Sequence, residues 1–469
     1  MANTFAELIF IPTPGLGHIM STIELANLLV NRDQRLAITV LVIKPPSVTS
    51  GSAITTYIES LTENTMDRIS FIQLPQDESP PIHGGPVEFI KSHCKYVRNV
   101  VSDLTSQPGP GRVVGFVVDM FCTSMIDVAN EFNVPTFVFF TSSAAFLGFT
   151  LFIKLLCDDL NRDVVELSNS DTEISRFQVL EGLDSVQRLA KKLGEANGII
   201  VNTFLDLETH AIESLLSADI SIPPVFPVGP ILNLEGGSGG GKPFDDDVIR
   251  WLDSQPPSSV VFLCFGSMGS FDEAQVKEIA RGLEQSGQRF LWSLRRPPLE
   301  QTTTRIPSDY EDPSVVLPEG FLDRTRGIGK VIGWAPQVAV LAHDAVGGFV
   351  SHCGWNSLLE SLWFGVPSAA WPMYAEQQMN AFEMVVDLGL AVEIKLDYEK
   401  DVFNPFNPKA NKIINVTARE IESGIRRVME DNEVRASVKE MSAKSRAAVV
   451  EGGSSYAFFS RLIQDFIRD

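Results

Sequence analysis

A run of residues that could bind a nucleotide lies between Trp334 and Gln377. An apolar segment at 346–351 is followed by the sequence HCGWNS at 352–357 and by the helix-forming residues 358–363. This order predicts a strand, a tight turn and a helix. The unpaired N–H groups and the dipole at such a helix start attract an anion such as a phosphate. The sequence therefore predicts a diphosphate site at this turn.

The side chains around the turn suit other parts of a nucleotide. Gly354 lets the backbone approach a ligand closely, Asn356 and Ser357 suit a helix start, and His352 adds a hydrogen-bond donor. Glu360 follows Asn356 by one helical turn on the same face. Its carboxylate could accept two hydrogen bonds from the neighbouring hydroxyls of a ribose.

Residues on either side of the turn could bind a base and a sugar. Trp334 offers a flat surface for a base, and Gln337 offers an amide for its edge. After a short apolar strand at 366–370, Glu376 and Gln377 form a polar pair suited to sugar hydroxyls. From spacing alone another interpretation stays open, in which the tryptophans belong to the core and this pair is the solvated first turn of a helix.

This segment resembles, over its whole length, the signature of plant secondary-product glycosyltransferases, the family-1 enzymes that use UDP-sugars. The residues that carry the resemblance are Trp334, Ala335, Pro336, Gln337, His352, Cys353, Gly354, Trp355, Asn356, Ser357, Glu360, Pro367, Trp371, Pro372, Glu376 and Gln377. The resemblance implies an α/β fold of GT-B type, with two facing Rossmann-like domains and a cleft between them. The donor-binding residues it implies are Ser267, Trp334, Ala335, Gln337, His352, Gly354, Trp355, Asn356, Ser357, Glu360, Tyr374, Glu376 and Gln377. It also implies UDP-glucose as co-substrate, because glutamine at the position of Gln377 goes with glucose in this family.

Transfer of a sugar to a hydroxyl needs a base, and His18 is the candidate. It lies at the predicted start of a helix, where the dipole favours the neutral imidazole that a base requires. Asp119 ends a predicted strand at 113–118 and could orient that imidazole. A capping or packed histidine is the alternative for His18 considered alone, whereas the resemblance implies that His18 and Asp119 are the catalytic pair.

The acceptor pocket is expected in the first half of the chain. It would be built from loops around 81–89, 121, 139–146 and 177–183, which are partly apolar and aromatic. Such a pocket suits a flavonoid, another phenol or a terpenoid equally well. The acceptor-binding candidates are Gly17, Phe121, Phe139, Thr141 and Phe146.

Two series of alternating strands and helices predict two domains, each with a parallel sheet. We expect an acceptor-binding domain at 1–229, a glycine-rich linker at 230–245 and a UDP-sugar-binding domain at 246–453, with a last helix at 454–469 that returns to the first domain. Residues 236–242 fit the start of a P-loop, but Pro243 stands where Ser or Thr is needed. Asp245–Asp247 reads as a solvated helix start rather than a metal site, so no metal is expected.

Composition narrows the class of partner. The chain has 469 residues and a formal net charge of −21, which would repel nucleic acid and anionic membranes. Five widely spaced cysteines without a CxxC pair, and the lack of any apolar stretch of roughly 18 residues, predict a cytoplasmic protein without a membrane span. We expect a monomer that binds a UDP-sugar and a small-molecule aglycone. A nucleotide-linked oxidoreductase or a nucleotide-binding protein of the same fold remains the alternative, although Met20 replaces the third glycine of a dinucleotide fingerprint.

Overall fold

The computed structural model describes residues 5–44, 56–57, 59–60, 68–75, 85–106, 111–160, 183–217, 222–234, 246–298, 307–398 and 415–468. These residues divide into two compact units. The first contains the described residues up to Asn233 together with those from Ala447 onward, and the second contains the others up to Arg446. The glycine run, Asp245 and the predicted acceptor loops at 81–84 and 177–182 lie outside the described residues.

The first unit contains a parallel sheet whose seven described strands have the order β3-β2-β1-β4-β5-β6-β7. Its central strands are runs of apolar residues, as is typical of strands covered by helices on both faces. The strands are β1 (Phe5–Ile11), β2 (Leu36–Val42), β3 (Ile69–Gln73), β4 (Gly111–Asp119), β5 (Thr136–Phe140), β6 (Gly198–Val201) and β7 (Val225–Pro227). The strand order reverses at β1, which pairs with both β2 and β4.

Helices connect these strands, and the last helix of the chain packs on the same sheet. They are α1 (Leu16–Arg32), α2 (Gly85–Ser92), α3 (Cys94–Ser106), α4 (Met125–Glu131), α5 (Ala144–Leu160), α6 (Leu183–Leu193), α7 (Thr209–Ser217) and α16 (Ser454–Ile467). Phe459, Leu462 and Phe466 of α16 lie in the core of the first unit. Arg32 of α1 donates to the Tyr456 carbonyl at 3.0 Å, and its guanidinium lies 3.2 Å from the centre of the Tyr456 ring.

The second unit contains a six-stranded parallel sheet in the order β12-β9-β8-β13-β14-β15 and a two-stranded antiparallel ribbon, β10-β11, among its described residues. Its strands are β8 (Val260–Cys264), β9 (Arg289–Ser293), β10 (Arg295–Arg296), β11 (Ser308–Asp309), β12 (Gly329–Ile332), β13 (Val346–Ser351), β14 (Ser368–Ala370) and β15 (Ala391–Glu393). The order of the sheet reverses between β8 and β13, which are neighbours. Two separate parallel sheets confirm the predicted α/β class with two Rossmann-like domains.

Eight α-helices lie among the described residues of the second unit, and two of them begin at a side-chain cap. They are α8 (Asp246–Asp253), α9 (Glu273–Ser286), α10 (Phe321–Thr325), α11 (Gln337–Leu341), α12 (Trp355–Phe364), α13 (Gln377–Phe382), α14 (Ala418–Glu430) and, continuing into the first unit, α15 (Asn432–Val449). At the start of α9, the Asp272 carboxylate accepts from the Gln275 N–H at 2.8 Å. At the start of α14, Thr417 and Glu420 form a reciprocal capping box.

Two features of this fold were not expected from the sequence. Residues 416–449, a helical stretch by pattern, form two helices, because the Asp431 carboxylate accepts from the N–H groups of Glu433 and Val434 and starts a new helix. Residues 223–229, whose prolines are typical of an irregular segment, contain the buried strand β7, which pairs with β6. None of the helices within the described ranges is long and apolar enough to cross a membrane.

Candidate functional site

Each sheet carries its candidate residues where its strand order reverses. In the first unit, His18 follows β1 and Asp119 ends β4, and these strands are neighbours. In the second unit, Gly266 and Ser267 follow β8, and the turn at 352–354 follows β13, its neighbour. Ligands of open parallel sheets bind outside the carboxyl ends of the strands at such a reversal. Both predicted clusters therefore lie where this fold binds ligands.

His18 and Asp119 form a hydrogen-bonded pair. His18 Nδ1 lies 2.8 Å from Asp119 Oδ2, and the side chains are 32% and 0% exposed. Because a carboxylate oxygen accepts the bond, Nδ1 carries the proton and the lone pair of the imidazole is on Nε2. A partly exposed imidazole held in this tautomer by a buried carboxylate is the arrangement of a general base and its orienting acid.

Two further donors hold the Asp119 carboxylate in place. The Thr13 hydroxyl donates to Oδ1 at 2.5 Å, and the Phe121 backbone N–H donates to the same oxygen at 3.1 Å. Oδ1 is thereby occupied and Oδ2 faces His18. Thr13 was not among the residues predicted from the sequence, although it lies in the turn between β1 and α1, five positions before His18.

Thr141 also contacts the imidazole, and a buried carboxylate fixes the turn that carries it. Thr141 Oγ1 lies 3.2 Å from His18 Nδ1. Three residues later, Ala144 N–H and Ala145 N–H donate to the two oxygens of Glu208 at 2.9 and 2.7 Å. Glu208 is 3% exposed and caps the start of α5. Nothing local in the sequence pointed to Glu208, because it acts across 63 or 64 residues.

The other acceptor candidates differ in exposure. Phe121 is 41% exposed and its ring lies edge-on to His18, with centroids 5.5 Å apart. Gly17 is exposed at the start of α1. Phe146 is 6% exposed and packs against Phe140. Phe139 is 0% exposed and belongs to the core, so its assignment to the acceptor pocket is corrected: its ring has no surface for a ligand.

In the second unit, the turn after β13 is built around the His352 ring. A Cβ on Gly266 would lie 2.7 Å from His352 Nε2, and one on Gly354 would lie 2.6 Å from it, so the ring fits only against glycine on both sides. Burial lowers the pKa of His352 to about 4, against a hydrogen bond to the Cys264 backbone. The ring is therefore neutral near pH 7. A neutral imidazole still carries one N–H, so the expectation that His352 is a hydrogen-bond donor stays a prediction.

The backbone after this ring forms the start of α12. Gly354 is the N-cap, and Trp355, Asn356 and Ser357 are the first three helical residues. Asn356 is partly exposed, whereas the Trp355 side chain is 2% exposed. Across the strand reversal, Ser267 is exposed on the loop after β8. Helix N–H groups beside an exposed hydroxyl suit a diphosphate.

Glu360 lies one turn into α12 and is tied to Gln337. Gln337 Nε2 donates to Glu360 Oε2 at 2.7 Å and to Ser357 Oγ at 2.8 Å. Burial raises the pKa of Glu360 to about 7, against this hydrogen bond, which lowers it. The amide N–H groups of Gln337 are thus directed at α12 and fix the carboxylate that the sequence assigned to a ribose. Its amide oxygen is a separate acceptor, so its role on the edge of a base stays a prediction.

The remaining donor candidates surround this helix start. Trp334 is 36% exposed, whereas Ala335 is 5% exposed and packs in the core. Burial raises the pKa of Tyr374 to about 12. Glu376 is partly exposed. Gln377 is 4% exposed, and its Oε1 accepts from the backbone N–H groups of Met373 and Tyr374 at 3.0 and 3.1 Å, so its amide oxygen is held by the protein.

No group of three or more His, Cys, Asp or Glu side chains that could hold a metal ion occurs in the described ranges. Four of the five cysteines, Cys94, Cys122, Cys264 and Cys353, are free thiols.

Two Rossmann-like units, with polar groups at both strand reversals, define a nucleotide-binding α/β protein. A family model described as "UDP-glucoronosyl and UDP-glucosyl transferase" matches residues 187–405. The putative UDP-glucose flavonoid 3-O-glucosyltransferase 3 of Fragaria ananassa is 49% identical over 486 residues, 98% of each chain. UDP-glucose flavonoid 3-O-glucosyltransferase 6 of the same organism is 52% identical over 484 residues, again 98% of each chain.

A solved structure is similar over nearly the whole chain. The crystal structure of Medicago truncatula UGT71G1 complexed with UDP-glucose superposes with a TM-score of 0.83 and 41% identity, covering 99% of both chains. The chain therefore belongs to the family of UDP-glucuronosyl and UDP-glucosyl transferases. It is a plant family-1 UDP-glycosyltransferase with the GT-B type of fold. The oxidoreductase that the sequence left open is ruled out.

Proposed function

We propose that the chain is an inverting, UDP-glucose-dependent O-glucosyltransferase whose acceptor is a flavonoid or another small phenol. The hydrogen-bonded pair of His18 and Asp119 is the observation that carries the proposal. His18 Nε2 takes the proton of the acceptor hydroxyl, and the acceptor oxygen attacks the anomeric carbon. The bond from that carbon to the phosphate oxygen breaks, and its electron pair leaves with UDP. Attack opposite the leaving group inverts the anomeric configuration.

The second unit supplies the proposed donor site. The start of α12 and Ser267 would stabilise the negative charge that develops on the diphosphate, without a metal ion. Glu360 would accept from the ribose hydroxyls, and Trp334 would stack on the uracil. The sugar would contact Glu376 and Gln377. The UDP-glucose named for the Medicago truncatula structure supports this donor.

The acceptor class rests on relatives and on the first unit. Relatives that cover 98% of this chain are named for flavonoid 3-O-glucosylation. The exposed Phe121 ring beside His18 offers a flat apolar surface to an aromatic acceptor. We assign acceptor binding to residues 1–229 with the helix at 454–469, and donor binding to residues 246–453. A terpenoid alcohol is the competing acceptor class.

The test is a transfer assay with UDP-glucose and a panel of flavonols, simple phenols and terpenoid alcohols. Products are resolved by mass, and the anomeric configuration is read by NMR. We expect β-glucosides of the phenols, since inversion of an α-linked donor gives β products. His18→Ala serves as the matched variant. Transfer to no phenol, or an α-linked product, would refute the proposal.

A further inference from the structure

The loop that carries Trp334 is fixed on both sides by side chains from other strands. The Ser293 hydroxyl, at the end of β9, donates to the Gly333 carbonyl at 2.7 Å. The Trp334 backbone N–H donates to Asp309 Oδ1 at 3.0 Å. Two bonds to consecutive residues hold the peptide between them and limit the directions in which the Trp334 ring can point.

Asp309 is itself held by Arg295, its partner across the antiparallel ribbon of β10 and β11. Arg295 Nε lies 3.1 Å from Asp309 Oδ1, the same oxygen that accepts from Trp334. Arg295 Nη2 donates to the Pro307 carbonyl at 2.6 Å, so the guanidinium is anchored at both ends. The two side chains are 12% and 31% exposed, which makes this pair less screened than the surface ion pairs of the chain.

Gly333 is required for this arrangement. A Cβ at position 333 would lie 2.5 Å from Asp309 Cγ and 2.7 Å from Asp309 Oδ1. Any side chain there would push the carboxylate away from the Trp334 N–H. Arg295, Asp309 and Gly333 therefore act together on one peptide group, and we refer to these three residues as the Asp309 bracket.

We propose that the Asp309 bracket is a positioning device that orients the Trp334 ring as a surface for the base of the nucleotide. Trp334 keeps 36% of its surface exposed in this orientation, which leaves an indole face available for stacking. The inference rests on the proposed function, because it takes the base to be the uracil of the donor. It adds that the affinity for the base depends on Asp309 and Arg295, which lie 25 and 39 positions before Trp334 in the chain.

A positioning role of the Asp309 bracket predicts a different result from a merely structural role. Loss of general stability would weaken every ligand of the second unit alike. Loss of base positioning should weaken UDP, which carries a base, and leave inorganic pyrophosphate, which does not. The affinities of both ligands are measured by calorimetric titration on the full chain and on Asp309→Ala, Asp309→Asn and Gly333→Ala. Glu284→Ala is the control, since it breaks the Arg324–Glu284 ion pair elsewhere in the same unit.

We expect Asp309→Ala and Gly333→Ala to weaken UDP binding about tenfold, the scale of one charge-assisted hydrogen bond, with pyrophosphate binding unchanged. Asp309→Asn should lose less, because its amide oxygen still accepts from Trp334. Asp309→Ala should have little further effect on UDP when combined with Trp334→Ala, since both changes remove the same contact. Glu284→Ala should bind both ligands as the parent does. Equal losses of affinity for UDP and for pyrophosphate would overturn the proposal. Full additivity of Asp309→Ala with Trp334→Ala would overturn it as well.

A second measurement does not depend on the ligand. The emission of Trp334 is obtained as the difference between each protein and its Trp334→Phe version, and its quenching by acrylamide is measured. We expect Asp309→Ala to change the quenching constant of Trp334, and an unchanged constant would overturn the bracket. A parent protein that fails to bind UDP would overturn the proposed function instead, so the two failures are distinguishable.

Discussion

Replacing Glu360 with glutamine should stabilise the second unit at high pH. Burial raises the pKa of Glu360 from 4.5 to about 7, against the hydrogen bond from Gln337. The folded-state pKa lies above the unfolded value. The contribution of Glu360 to the free energy of unfolding is therefore fully present below about pH 4.5 and is lost as the pH rises through about 7. At about 1.36 kcal/mol per pKa unit the shift is equivalent to roughly 3 kcal/mol, which partial exposure reduces to about 1–2 kcal/mol. Glutamine cannot ionise and avoids this loss.

The assay is thermal unfolding of both proteins at pH 5, 6.5 and 8. For a unit of this size, about 1–2 kcal/mol corresponds to a Tm difference of roughly 3–6 °C. We expect the advantage of Glu360→Gln to be small at pH 5 and to reach this value at pH 8. Glu284→Gln is the control of opposite sign, because the hydrogen bond from Arg324 lowers the pKa of Glu284. It should gain nothing at pH 8.

Glu360→Gln should weaken binding of the UDP-sugar donor while it stabilises the fold. A carboxylate accepts from two ribose hydroxyls, whereas an amide has one accepting oxygen, so UDP affinity should fall about tenfold at pH 8. UDP affinity of the parent should also fall as the pH drops from 8 to 6 and Glu360 becomes protonated. A Tm difference that does not change with pH would refute the raised pKa. Unchanged UDP affinity would refute the ribose role.

Three further outcomes test the proposed chemistry. His18→Ala should reduce transfer to alcohol acceptors about 10²–10⁴-fold with UDP affinity unchanged by titration, and Asp119→Asn should cost less, with a double variant far from additive in kcat/KM. Thr13→Val, which removes a donor to Asp119, should lower kcat about tenfold without changing KM for UDP-glucose, and Thr13→Ser should restore it. UDP-glucose should have a larger kcat/KM than UDP-galactose in steady-state kinetics, and the reverse order would contradict the inference from Gln377.

Most strands were predictable because parallel strands covered on both faces are uninterrupted apolar runs. The strand β13 has the predicted bounds, and β14 lies within the predicted 366–370. The strand β7 was missed, because its three residues lie among prolines, which usually indicate loops. The break between α14 and α15 was missed for a different reason. Asp431 interrupts a helical pattern without glycine or proline, and only its hydrogen bonds to Glu433 and Val434 show the new start.

In the candidate site, too, features set by consecutive residues were predictable and contacts between distant residues were not. The turn after β13 was predictable, because its residues are consecutive and the helix start follows from their order. The partners that orient the functional side chains were not, since they come from other strands. Glu208 reaches the start of α5 across more than 60 residues, and Asp309 reaches Trp334 across 25. Hydrophobic periodicity carries no signal for such hydrogen bonds.

Three residues proposed to contact substrate, His18, Glu360 and Trp334, are each held in place by other groups of the protein. Thr13 and the Phe121 N–H hold Asp119 against His18, Gln337 holds Glu360, and the Asp309 bracket holds the Trp334 backbone. A pre-positioned group loses less conformational freedom on binding, so more of its contact energy appears as affinity or as transition-state stabilisation. Replacing one of these fixing groups should therefore change the affinity for one ligand, or one kinetic constant, and leave the others unchanged. That selectivity separates them from core residues, whose loss would lower stability and every activity together.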